Sequence, residues 1–102
     1  MTDADPTRPL TPEDAQAMLA SVPDWTLTVD ALQRTFNAAT FPEAIEFVQR
    51  VASLAQEVCH HPDILIRHKK VTLTTTTHDA GGLTQRDFQL AGRIDRMNRP
   101  AS

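Results

Sequence analysis

The 102-residue sequence has a single cysteine, Cys59, so no internal disulfide can form. That usage fits a reducing compartment, and a cytoplasmic location is expected. Basic residues are in deficit. Lys and Arg number 10 against 13 Asp and Glu, a formal charge of −3. That balance argues against a general nucleic-acid or anionic-membrane binder, which needs a basic surface. No apolar run approaches the ~18 residues of a membrane span. Met1 to Pro9 has no apolar signal core. Aromatics make up 5% of the chain. Trp25 reads as a core anchor rather than a stacking platform. There is no internal repeat, no interdomain linker, and no low-complexity tract beyond Thr74–Thr77. A chain of this length normally forms one core, since single domains run to about 50–200 residues. The expected organisation is a flexible lead-in over 1–9, one domain over 10–98 and a flexible tail over 99–102. Against these absences one excess stands out. All four histidines fall between His60 and His78.

The pattern of elements is readable. Thr11-Pro12-Glu13-Asp14 starts a helix running to about Ala20, before Val22-Pro23. Trp25 to Val29 alternates as a half-buried strand does, Asp30-Ala31 turns, and Leu32 to Phe36 returns. Thr40-Phe41-Pro42-Glu43 starts a second helix. There Phe41, Ala44, Ile45, Val48, Val51, Ala52, Ala55 and Val58 recur at helical spacing. Pro62 disfavours helix at His61, so this element should stop near Cys59 or His60. Asp63–His68 and Val71–Thr77 read as β-branched strands, with Lys69-Lys70 in the hairpin between them. Ala80-Gly81-Gly82 is a loop. Thr84-Gln85-Arg86-Asp87 opens a last helix as a capping box with Asp in place of Glu. The order α-β-β-α-β-β-α predicts an α+β fold, a four-stranded antiparallel sheet with helices packed on one face.

Chemistry points to Cys59-His60-His61-Pro62 and to His78. Histidine is the side chain best suited to proton transfer near neutral pH. At a helix end, adjacent His60 and His61 project about 100° apart, so both cannot face a core. His78 ends a strand beside the Ala80-Gly81-Gly82 loop. If the long helix packs on that sheet, three imidazoles line one pocket, suited to general acid/base work. No serine or cysteine stands in a nucleophile context. A plainer reading is that helix-end histidines merely answer the helix dipole. The third reading is a metal site, but the spacings match no standard zinc pattern. Asp87 is most simply a capping residue.

The same residues resemble the pterin-4a-carbinolamine dehydratase family. The carriers are His60-His61-Pro62-Asp63, Thr77-His78, Ala80-Gly81-Gly82-Leu83-Thr84 and Arg86-Asp87, with weaker matches at Trp25 and at Phe41, Ala44 and Phe47. The second histidine of the pair precedes His78 by seventeen residues. The resemblance spans about Leu10 to Met97. It implies dehydration of a 4a-hydroxy-tetrahydropterin to the quinonoid dihydropterin, in recycling of the tetrahydropterin used by aromatic amino acid hydroxylases. It implies no metal or organic cofactor, and assembly as homodimers or homotetramers through sheet edges and helices. Carried over, His60, His61 and His78 are the catalytic set. His61 and His78 would act as acid and base and His60 would position the pterin. Pro62, Thr76, Thr77 and Asp87 would face or bind it. The sequence departs from the family pattern at Gln56, where an acidic residue is usual, and at His68 and Lys69. Some similar proteins serve as non-catalytic assembly or co-activator modules, which is the alternative reading.

Overall fold

The computed structural model describes residues 8–98. Most of the expected lead-in and all of the expected tail, residues 1–7 and 99–102, lie outside the described residues.

Thr11 caps α1 (Pro12–Met18), its hydroxyl accepting from the Asp14 N–H at 3.0 Å. A short 3-10 turn, Leu19–Ser21, follows. The first hairpin is β1 (Thr26–Leu27) and β2 (Leu32–Asn37). β1 is shorter than the alternation predicts, because Thr28 N–H already bonds the Ala31 carbonyl at 2.8 Å and starts the turn. Val29 is thereby left fully exposed. Thr40 caps α2 (Phe41–Val58) through the Glu43 N–H at 3.2 Å. β3 (Asp63–Arg67) and β4 (Lys70–Thr75) form the second hairpin. Its two-residue loop is His68-Lys69, one position earlier than expected, and His68 takes a left-handed φ of 56°. β4 ends at Thr75, Thr77 makes an isolated bridge to Gly82, and His78–Ala80 form a 3-10 turn. The last helix is α3 (Gln85–Met97).

The four strands lie in the order β1-β2-β4-β3, all neighbours antiparallel. Side chains alternate across a strand, so the register defines two faces. Leu32 and Phe36 of β2 and Val71 and Leu73 of β4 point to the buried face. Gln33, Thr35, Thr72 and Thr74 occupy the other, where Thr35 and Thr72 hydroxyls share a 2.8 Å bond and Gln33 donates to Thr74 at 3.1 Å. The helices cover one face, and the open face carries a hydrogen-bonded polar ladder on β2 and β4 with Leu65 of β3 beside it. α2 presses Ala44, Phe47, Val51, Leu54 and Ala55 onto the sheet. Its apolar stripe is broader than the contact it makes. Phe41, at one edge of that stripe, is 54% exposed. Phe47 packs against Phe36 with ring centroids 4.8 Å apart and the rings tilted by 44°. Trp25 is a core residue, edge-on to Phe36, with its indole N–H donating to Asp95 Oδ1 at 2.9 Å.

Candidate active site

The antiparallel pairing sets the place of the histidines. Asp63, at the start of β3, pairs with Thr74 near the end of β4. The chain entering β3 through His60-His61-Pro62 therefore meets the chain leaving β4 through Thr75–His78 at one end of the sheet.

The end of α2 decides which way each histidine faces. Cys59 adopts a left-handed conformation, φ 58° and ψ 41°. His60 N–H bonds the Ala55 carbonyl at 3.1 Å, and Cys59 N–H bonds that of Gln56 at 3.3 Å. This is a Schellman ending, normally built on glycine because a Cβ is strained there. The Arg86 guanidinium donates to the Cys59 carbonyl and ties the turn to the start of α3. The reversal drives His60 inward and leaves His61 outside. Cys59→Gly should relieve the strain and stabilise the fold by about 0.5–1 kcal/mol, raising the thermal midpoint by roughly 2–8 °C. A calorimetric scan showing a lowered midpoint would mean the thiol side chain contributes contacts that outweigh the strain.

His60 is buried, and its Nε2 lies 2.6 Å from Oδ1 of Asp87, which is fully buried. Asp87 Oδ1 also accepts from the Thr75 hydroxyl at 2.6 Å. Oδ2 accepts from the Thr77 hydroxyl at 2.8 Å and from the Thr84 N–H at 3.0 Å. Counting protons orders the rest. Thr77 gives its single proton to Asp87, so the 2.9 Å bond between Thr77 and Thr84 runs from the Thr84 hydroxyl. Thr84 Oγ1 in turn accepts from the Arg86 N–H at 3.2 Å. Three of the four groups on Asp87 are donors by their chemistry, and with the His60 proton on Nε2 its carboxylate oxygens accept from all four. No buried side-chain nitrogen or oxygen among the described residues lacks a partner. Asp87 is thus both the expected capping residue of α3 and the anchor of His60.

The other candidates sit nearer solvent. His61 is exposed, with Nε2 3.1 Å from Gln56 Oε1. His78 is exposed on the 3-10 turn, next in the chain to Thr77 and so one residue from the Asp87 network. Pro62 is half-buried between His61 and β3. Thr76 is half-buried, and its hydroxyl donates to the Asp30 carbonyl at 2.6 Å, bracing the first hairpin. Thr77 is buried with its hydroxyl engaged by Asp87 and Thr84. His68 lies in the distant β3–β4 loop, outside the cluster. Among the described residues, no group of three His, Cys, Asp or Glu side chains is placed to hold a metal ion. A groove of about 840 Å3 between α2 and α3 is lined by Arg50, Arg93, Glu46 and Glu57 and includes none of the histidines.

Thr84 is legible in the sequence as the other half of the Asp87 capping box, whereas the Thr75 hydroxyl on Asp87, Gln56 on His61 and Arg86 on the Cys59 carbonyl are contacts only the fold reveals. One signal was available for Thr75. It shares the inward parity of Val71 and Leu73, and a polar side chain on a core face calls for a buried partner.

A family model described as pterin 4 alpha carbinolamine dehydratase matches residues 8–97. A protein of Chloroflexus aurantiacus named "Putative pterin-4-alpha-carbinolamine dehydratase" is 56% identical over 79 residues, covering 78% of this chain and 85% of its own. A protein of the same name from a Picosynechococcus species is 48% identical over 88 residues, 86% of this chain and 96% of its own. The crystal structure of a "transcriptional coactivator/pterin dehydratase" from Brucella melitensis superposes with a TM-score of 0.83 at 25% identity, covering 88% and 98% of the two chains. Matched along nearly its whole described length, the chain belongs to the pterin 4 alpha carbinolamine dehydratase family.

Proposed function

We propose that this protein removes water from a 4a-hydroxy-tetrahydropterin to give the quinonoid dihydropterin, by histidine general acid/base catalysis, in tetrahydropterin recycling. The observation that carries the reading is the buried His60–Asp87 pair set directly beside the exposed His61 and one residue from the turn that bears His78. The reaction needs a proton delivered to the departing hydroxyl and a proton taken from a ring nitrogen as the double bond forms. Imidazoles serve both roles near neutral pH.

The exposures support a division of labour. His61 and His78 touch solvent, so a proton gained or lost in one turnover is restored from water before the next. They are the acid/base pair in this reading. His60 is fixed by Asp87 through Nε2, which leaves Nδ1 to bind a polar group of the pterin. Asp87 orients His60 rather than reacting. Pro62 and the backbone at Thr76 and Thr77 border the ring. No metal or organic cofactor enters this scheme, and the expected location is the cytoplasm. Among the described residues no helix is long and apolar enough to cross a membrane. The test is the dehydration rate of a freshly generated carbinolamine with and without the purified protein.

Assembly with a second copy belongs to the same reading. β3 is an edge strand, and Leu65 is 53% and Ile64 36% exposed on it. Exposed apolar edge strands seek a partner strand. Light scattering should give two or four times the 11.3 kDa chain mass. Leu65→Lys should shift that mass towards the monomer. A monomeric parent would overturn the homodimer or homotetramer.

A second reading, a non-catalytic binding or co-activator module on the same fold, draws on the transcriptional coactivator named beside pterin dehydratase for the Brucella structure. A protein that adds nothing to the spontaneous rate and co-purifies with a larger partner would establish it.

A further inference from the structure

His61 is held by a residue to which no role has yet been given. Its Nε2 lies 3.1 Å from Gln56 Oε1, five residues back in the last turn of α2. The left-handed turn at Cys59 folds the chain back so that the ring reaches the helix end it has just left. An amide oxygen has no proton to give. The bond therefore requires a proton on Nε2, and in the neutral ring this leaves the lone pair on Nδ1. Among the described residues, Nδ1 has no hydrogen bond to a protein group. His60 shows the same asymmetry, with Nε2 on Asp87. Two adjacent histidines thus offer the same ring atom. One is backed by a buried carboxylate and the other by an exposed, uncharged amide.

We propose that Gln56 is the positioning residue of His61, its side-chain oxygen selecting the Nε2–H tautomer and presenting Nδ1 to the substrate. The arrangement suits a group that must change protonation state. When Nδ1 takes a proton from the substrate, Nε2 keeps its own, and the bond to Gln56 survives unchanged. When Nδ1 returns that proton to water, the ring is back in its starting tautomer. No ring flip or rotamer change is needed in either direction. The effect on rate rests on the dehydratase reading above; the state of the ring does not.

The experiment compares the parent with Gln56→Leu, which removes the acceptor at similar size, and Gln56→Glu, which retains one. The His61 ring nitrogens are followed by long-range 1H–15N correlation at mildly alkaline pH, and steady-state dehydration is measured on the same samples. In the parent and in Gln56→Glu, Nε2 should appear protonated and Nδ1 unprotonated. In Gln56→Leu the two signals should move towards each other as the tautomers mix. kcat should fall about three- to tenfold in Gln56→Leu, the weight of one hydrogen bond, with KM little changed and with recovery in Gln56→Glu. Ring signals identical in the parent and Gln56→Leu would overturn the proposal. So would altered ring signals with unchanged kcat in an active enzyme. Altered ring signals in a protein that never dehydrates the carbinolamine would uphold the tautomer assignment and sink the dehydratase reading instead.

Discussion

Replacing His61 and His78 together by alanine should lower the dehydration rate by roughly two to four orders of magnitude, the usual weight of general acid/base groups. The fold should survive. Both side chains are exposed, and exposed substitutions outside caps and networks usually change stability by about 0.5 kcal/mol or less. That separation gives the prediction its force, because a lost rate cannot then be blamed on unfolding. Matched circular dichroism and urea midpoints establish the fold, and single-turnover dehydration establishes the rate. A folded double variant as fast as the parent would remove these two histidines from the chemistry.

Asp87→Ala should do the opposite and break the fold first. It strands four donors at once, the hydroxyls of Thr75 and Thr77, the Thr84 N–H and His60 Nε2. Opening a buried polar pair of this kind costs about 3–5 kcal/mol. A domain of this size has about 5–15 kcal/mol in total, so a large part of its stability should go. It also removes the capping box of α3, the helix that carries the core residues Phe88, Leu90 and Ile94. Asp87→Asn separates the two roles of the residue. Its NH2 cannot replace Oδ2, which faces the fixed Thr84 N–H. It can replace Oδ1 if Thr75 and His60 Nε2 both become acceptors, which forces His60 into the Nδ1–H tautomer. The expected result is a stability loss of about 1 kcal/mol and a fall of about 10–100-fold in kcat/KM, carried mostly by KM. Urea unfolding and steady-state kinetics check both variants. An Asp87→Ala protein within about 1 kcal/mol of the parent would contradict the burial argument.

The order of elements was legible because periodicity is a local property. α2 announces itself by helical spacing and by Thr40, and Pro62 marks its end. The ends of strands were less legible. The alternation Trp25–Val29 is real in the sequence, yet the Thr28–Ala31 bond closes the turn before Val29 can pair. Thr76 and Thr77 carry the β-branched signature of β4 but leave the ladder, one bracing Asp30 and the other bonding Asp87. The hairpin was misplaced by one residue because a histidine at φ 56° gives no turn signal of the kind Gly or Asn would.

The site divided along the same line. That His60, His61 and His78 gather near one sheet end follows from the hairpin order. That His60 rather than His61 is the buried one depends on the left-handed Cys59, and a cysteine does not announce such a turn. Asp87 was visible as a capping residue, because capping spans three positions. Its bond to His60 spans twenty-seven, and only the folded packing of α2, β4 and α3 creates it. Arg86 on the Cys59 carbonyl is hidden for the same reason.

The most direct test is the dehydration of a freshly generated 4a-carbinolamine, followed against the spontaneous reaction, with the parent protein and with His61→Ala. Clear acceleration by the parent and loss of roughly two orders of magnitude or more in the variant are expected. A parent that adds nothing to the spontaneous rate, or a His61→Ala protein that matches it, would contradict the account.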